Sequence, residues 1–202
     1  MRRTHLIVAA LAAAVFALAP ASARAQNEKL DISAFAINMS NIATGSTAMV
    51  QITINEWSTP EEREMLITTM IEKKPDDLLT ALQKCSKKGF FRIPTARPPD
   101  PHHLSLGVDI RYAWQTPLPD GGRRMVLAMD RYIGFAEARN QPRSIDYPFT
   151  LIEIRVDKDG KGVGKMAVAT KIDFNKEKKV VQIENYGSEP VRLNEIKVKV
   201  KS

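Results

Sequence analysis

The side chains able to do chemistry crowd into the middle of this chain. Asp109, Asp130, Glu137, Asp146 and Glu153 supply carboxylates there, and paired carboxylates are the usual material of acid/base hydrolysis and isomerisation. The cations beside them are chosen unevenly. Nine arginines and no lysine fall between Gly89 and Val156, whereas ten lysines and one arginine fall between Asp157 and Ser202. Arginine offers a planar fork that grips carboxylates in two-pronged fashion and stacks on aromatic rings; lysine is a solvated point charge. The middle stretch is therefore expected to carry organised polar contacts. These are either an ion-pair network or a surface for a ligand or partner.

Position narrows the candidates. Asp109 and Arg111 stand two residues apart on an alternating stretch, which puts them on one face of a strand at roughly 7 Å. The returning strand brings Arg131 near them, and the polar connector that follows adds Glu137, Arg139, Asn140, Asp146 and Tyr147. These eight residues are expected to line one polar ligand-binding surface, because loops held over a rigid sheet are where binding groups collect.

Other chemistry-bearing residues have plainer explanations. His102 and His103 are adjacent, so in an extended segment they point apart and suit a solvated loop better than one metal ion. Cys85 continues Leu78, Leu79 and Leu82 at helical spacing, where a thiol packs as a small hydrophobe; as the only cysteine it can form no intrachain disulfide. Asp157-Lys158-Asp159-Gly160-Lys161-Gly162 opens like a calcium loop but has Lys161 and Val168 where that loop needs ligands, and reads as a hairpin turn. Gly160, Gly162 and Gly164 precede a strand instead of a helix, which argues against a phosphate cradle. No nucleophile elbow, zinc-protease helix or paired-cysteine pattern occurs. No catalytic residue, metal or cofactor is expected.

The elements that must position these groups follow from periodicity. Leu104, Leu106, Val108, Ile110, Tyr112 and Trp114 occupy every second position, Pro117 to Gly122 make a turn, and Met125, Leu127, Met129 and Ile133 resume the alternation. The spacing predicts a long central β-hairpin over 104–133 with those residues on one buried face. Strands are also expected over 30–39 and 47–57, with a turn at Gly45-Ser46 and a short strand at 90–93. A C-terminal meander should run from 149 to 200. Its last strand changes phase between Leu193 and Ile196, which predicts a β-bulge at Asn194-Glu195, with Lys197, Lys199 and Lys201 outward as edge protection.

Between the second strand and residue 88 the period becomes helical. Thr59-Pro60-Glu61-Glu62 is a helix start, and the acids Glu61, Glu62 and Glu64 are explained by it. Leu66, Ile67, Met70 and Ile71 form its apolar stripe, and a second helix begins at Pro75-Asp76-Asp77. The pair, over about 59–88, needs a sheet to cover.

The first 25 residues read as a secretory signal peptide: Arg2 and Arg3, an apolar run from Leu6 to Ala19, then Ala23-Arg24-Ala25. That run of about 14 residues is shorter than the roughly 20 of a membrane-spanning helix, and nothing later approaches that length. Without Arg2, Arg3 and Arg24 the formal charge of +7 falls to +4, too mild for a nucleic-acid partner.

The expected fold is α+β. One domain over 26–202 holds a single curled antiparallel sheet of about eight or nine strands, a half-open barrel in its sharper form, with the two helices on one face or end. The expected function is an exported, periplasmic or extracellular, non-enzymatic binding or interaction module for a small polar ligand or a protein. The alternative is a carboxylate-dependent hydrolase or isomerase acting on a small polar substrate.

Overall fold

In the computed structural model, residues 28–39, 45–73, 75–97, 103–131, 133, 149–168, 172–175, 180–183 and 191–201 are described. In chain order the elements are β1 (Leu30–Ile37), β2 (Thr47–Ile54), α1 (Pro60–Glu72), α2 (Pro75–Lys84), β3 (Gly89–Arg92), β4 (Val108–Pro117), β5 (Arg123–Met129), β6 (Thr150–Val156), β7 (Lys161–Val168), β8 (Ile172–Asn175), β9 (Val180–Ile183) and β10 (Val191–Val200). Eight of the strands close into an antiparallel barrel in the order β1-β10-β7-β6-β5-β4-β3-β2. The expected curled sheet is thus a complete barrel. Among the described residues β8 and β9 pair with each other and with no barrel strand, so the meander leaves the barrel after β7 and re-enters at β10.

Closure follows from β1 and β10, the two ends of the described sheet in sequence, which pair from Leu30 opposite Val200 to Ile37 opposite Arg192. The predicted bulge is present: the register shifts between Leu193 and Ile196, and Glu195 takes a φ of 51°. Because β10 has β1 on one side and β7 on the other, Lys197 and Lys199 guard no sheet edge; they are exposed on the barrel's outside. β7 approaches its neighbours closely because a Cβ at Gly162 or Gly164 would strike the Arg155 or Glu153 carbonyl of β6.

Inward-facing residues fill the barrel. Ile32, Val50, Phe91, Ile110, Met125, Leu127, Ile152, Ile154, Met166 and Leu193 belong to one continuous buried cluster with Trp57 and Ile133. An eight-stranded barrel has an interior about as wide as its own side chains need, so this is a packed core.

The central hairpin departs from its expected alternation in two ways. Residues 104–106 form a turn, with Leu106 80% exposed, and the strand begins only at Val108. The β4–β5 register then shifts between Ile110 and Tyr112. This bulge reverses the phase. Ala113 and Gln115 turn inward and are buried, while Tyr112 and Trp114 leave the barrel core and join a second apolar cluster outside it.

That second cluster is where the helices dock. Leu66 of α1, Leu78 and Leu82 of α2, and Cys85 pack on Tyr112, Val126, Ala128, Phe149 and Leu151. β6 is consequently buried on both faces except at Arg155. Ile71 does not share the stripe; it is exposed, as is Met65. Among the described residues no helix is long and apolar enough to cross a membrane.

Candidate functional site

The start of α1 is fixed by a reciprocal capping box. The Glu62 amide donates to the Thr59 hydroxyl (3.2 Å), the Thr59 amide donates to the Glu62 carboxylate (2.9 Å), and Pro60 occupies the first helical turn. Glu62 does a second job. With Glu56 and Ser86 it receives the ammonium of Lys88, which is 1% exposed: Nζ lies 2.9 Å from Glu62, 3.0 Å from Glu56 and 2.8 Å from the Ser86 hydroxyl. All three N–H donors are used. Burial works against the charged form, but the hydrogen bonds and charges of Glu62 and Glu56 more than offset it, and the Lys88 pKa is raised. The backbone explains the burial: the Lys88 amide donates to the Ile110 carbonyl (2.7 Å) and its own carbonyl accepts from Asn55 and Glu56. This cluster locks α1 to β2, β3 and β4.

A cleft lies between the helices thus anchored and the barrel wall. Leu66, Ile67 and Met70 of α1 and Leu78 and Leu82 of α2 form one side; Val126, Ala128 and Leu151 with Phe149 form the other. The free volume is about 50 Å³, partly open to solvent. Arg63 and Tyr112 also line it, but through their apolar parts, so the surface facing the cleft is apolar throughout. The Arg63 guanidinium lies near Tyr112 and stands 5.1 Å from the centre of the Trp114 ring. Burial pushes the Tyr112 pKa well up, against the opposing pull of Arg63 and Arg124, so the phenol keeps its proton.

Glu153 lies along the same wall, its side chain 6% exposed. The register of β5, β6 and β7 surrounds it with cations: Arg124 Nε and Arg155 Nε each donate to Oε1 at 2.9 Å, and Lys165 Nζ is 3.8 Å from Oε2. Burial alone would raise its pKa, but Arg124, Arg155 and Lys165 together hold it below the ordinary carboxylate value.

Of the residues expected to form a polar surface, Asp109, Arg111 and Arg131 come together around Asp130. Arg111 bridges Asp130 (3.1 Å) and Asp109 (3.4 Å), Arg131 lies 3.5 Å from Asp130, and Lys87 also pairs with Asp109 at 2.6 Å. Arg111 further donates to the Cys85 carbonyl at 3.4 Å, tying the end of α2 to the hairpin. Glu137, Arg139, Asn140, Asp146 and Tyr147 lie outside the described residues. The described part of the predicted surface is therefore an ion-pair cluster.

The remaining candidates resolve simply. Cys85 is buried, donates to the Ala81 carbonyl (3.5 Å), and burial raises its pKa, which keeps the thiol protonated and unreactive. Asp157 closes its turn by accepting from the Asp159 and Lys161 amides at 2.9 Å. Among the described residues no group of three or more metal-ligating side chains occurs; His102 is outside them.

Sequence reasoning passed over Arg63 and Lys88 and put Tyr112 on the inner face of the hairpin instead of the outer one. Arg63 carried a signal, since it precedes Leu66 and Ile67 by three and four positions and so shares their helix face. Lys88 carried none. No protein-family model, curated protein or solved structure matches the chain.

Proposed function

We propose that the protein is an exported, non-catalytic binding module whose ligand enters the cleft between the helical pair and the outer wall of the β4–β5 hairpin. The single observation that carries this reading is the cleft itself: apolar walls from two helices and three strands, and an opening to solvent. The packed barrel interior supports it by leaving the outer wall as the place to bind. Export rests on the charged, apolar and small-residue order of the first 25 residues. Among the described residues, hydrolysis or isomerisation by carboxylates is disfavoured, because the carboxylates there with displaced pKa values, Glu61 and Glu153, are displaced downward, away from the range useful to a general acid. The Asp109–Arg111–Asp130 cluster holds the hairpin to the end of α2 and so fixes one side of the cleft.

Thermal unfolding of the chain from residue 26 with 3-methylbutanol and 3-methylbutanoate as probes tests this. A ligand selective for the folded state raises the melting temperature saturably. Ala128→Leu, which fills the cleft, should remain folded and abolish the rise. No saturable rise with either probe, or an undiminished rise in Ala128→Leu, contradicts the proposal.

A further inference from the structure

We propose that the outer wall formed by β7, β10, β1 and β2 docks on an anionic lipid bilayer, its lysines on the headgroup phosphates and Phe35, Met49 and Val163 against the acyl-chain boundary. This face lies across the barrel from the helices, so the inference stands apart from the cleft.

Alternation sets what the face carries. Met166, Leu193 and Ile196 belong to the barrel core, which turns Lys161, Val163 and Lys165 of β7 and Arg192, Lys197 and Lys199 of β10 outward. Register then brings like charges together. Lys161 is the partner of Lys197 across the two strands, and Lys165 is the partner of Arg192. Like charges directly opposite destabilise a sheet, and here they guard no edge. Lys165 reaches Glu153 at 3.8 Å, but Lys161, Arg192, Lys197 and Lys199 form no ion pair with any described residue. The acids on these four strands are Asp31, opposite Lys199 and accepting from the Thr53 hydroxyl at 2.8 Å, and Glu195 in the bulge. Five cations against two acids leave the face positive; Asp157 and Asp159 stand with Lys158 at the turn that ends it.

Apolar side chains decide the partner. Val163 stands between Lys161 and Lys165, and Phe35 is opposite Asn194, between the positions of Arg192 and Lys197, with Met49 beside it on β2. All three are exposed. A soluble polyanion gains little from them, whereas a bilayer surface takes cations at its phosphates and apolar side chains just beneath. Lysine suits such a surface, as a point charge that needs no fixed geometry from its counter-ion.

Cosedimentation at low salt tests this, using the chain from residue 26, which contains every described element, and vesicles of phosphatidylcholine alone or mixed with equal parts phosphatidylglycerol. Binding to the mixed vesicles should be at least about tenfold tighter than to the neutral ones and should weaken as salt is added. Lys197→Gln and Lys199→Gln should each lower it about fivefold. Lys161→Gln should do the same while raising the urea midpoint, because it relieves the repulsion with Lys197. Phe35→Ser should weaken binding at both low and high salt, and Lys73→Gln, on the helical side, should leave it unchanged. Equal binding to neutral and mixed vesicles, or an affinity for the mixed vesicles that survives Lys197→Gln combined with Lys199→Gln, overturns the proposal. Tighter binding of soluble heparin than of the mixed vesicles, indifferent to Phe35→Ser, assigns the face to acidic polymers and overturns the bilayer.

Discussion

The chain's two tryptophans sit in different apolar clusters among the described residues, and their settings differ. Trp57 is buried with the barrel core, its indole N–H donating to the Glu28 carbonyl at 2.8 Å. Trp114 is partly buried on the outer wall, covered by the Arg63 guanidinium beside the cleft. The inner cluster is closed by eight strands that leave its side chains nowhere to go. The outer cluster is closed by two helices held through a few polar contacts, chiefly Lys88 with Glu56 and Glu62, and Arg111 with the Cys85 carbonyl. One region supplies stability and the other supplies a surface whose occupancy can change.

Damage to the inner cluster should be the costliest. Phe91→Ala removes a fully buried ring from the barrel and should lower stability by about 3–5 kcal/mol, read as a lower urea midpoint, while the folded fraction binds 3-methylbutanol unchanged. Lys88→Met tests the joint between the regions. It leaves Glu62 without its cation and should cost about 2 kcal/mol, less than a deeply buried pair because Glu56 and part of Glu62 reach solvent. The folded Lys88 pKa lies above its ordinary 10.5, so its contribution is complete below that pH and is lost as pH rises through the folded value. Urea melts at alkaline pH should show a shallower decline for Lys88→Met than for the native chain.

Glu153→Gln acts on the outer wall alone and should cost about 1–2 kcal/mol at neutral pH, since Arg124 stays mostly buried beside a neutral amide. Glu153 titrates below its ordinary 4.5 when folded; its contribution is present above that value and is lost as pH falls through the folded pKa. The native chain should therefore lose stability on acidification over a limb that flattens in Glu153→Gln. Ala128→Leu adds atoms that the cleft can partly receive and should cost about 1 kcal/mol, the low end of what overpacking costs, while having the largest effect on binding.

Much of the fold could be read from the residues, and where it could not the reason is local. The bulge at Asn194-Glu195 was legible because β10 has one solvated face, so a phase change moves apolar residues from odd to even positions in plain view. The bulge after Ile110 was hidden because helices cover the outer face of β4; Tyr112 and Trp114 are apolar on either face, and the alternation looks unbroken. Full closure of the barrel depends on β1 meeting β10 across nearly the whole chain, which no local pattern encodes. The ion pairs of Asp109 and Arg111 were foreshadowed by the preference for arginine in the middle stretch. The three cations on Glu153 required the registers of β5, β6 and β7. Lys88 illustrates the limit, since lysine beside glycine reads as surface until Glu56 and Glu62 are folded against it.

The contrast between the two tryptophans also supplies its own test. With 5-fluorotryptophan incorporated and the two fluorine resonances assigned by Trp57→Phe and Trp114→Phe, 3-methylbutanol is titrated into the protein. The Trp114 resonance should move saturably while the Trp57 resonance stays in place. A saturable shift of Trp57 with Trp114 unmoved would contradict it, placing the ligand inside the barrel instead of under the helices.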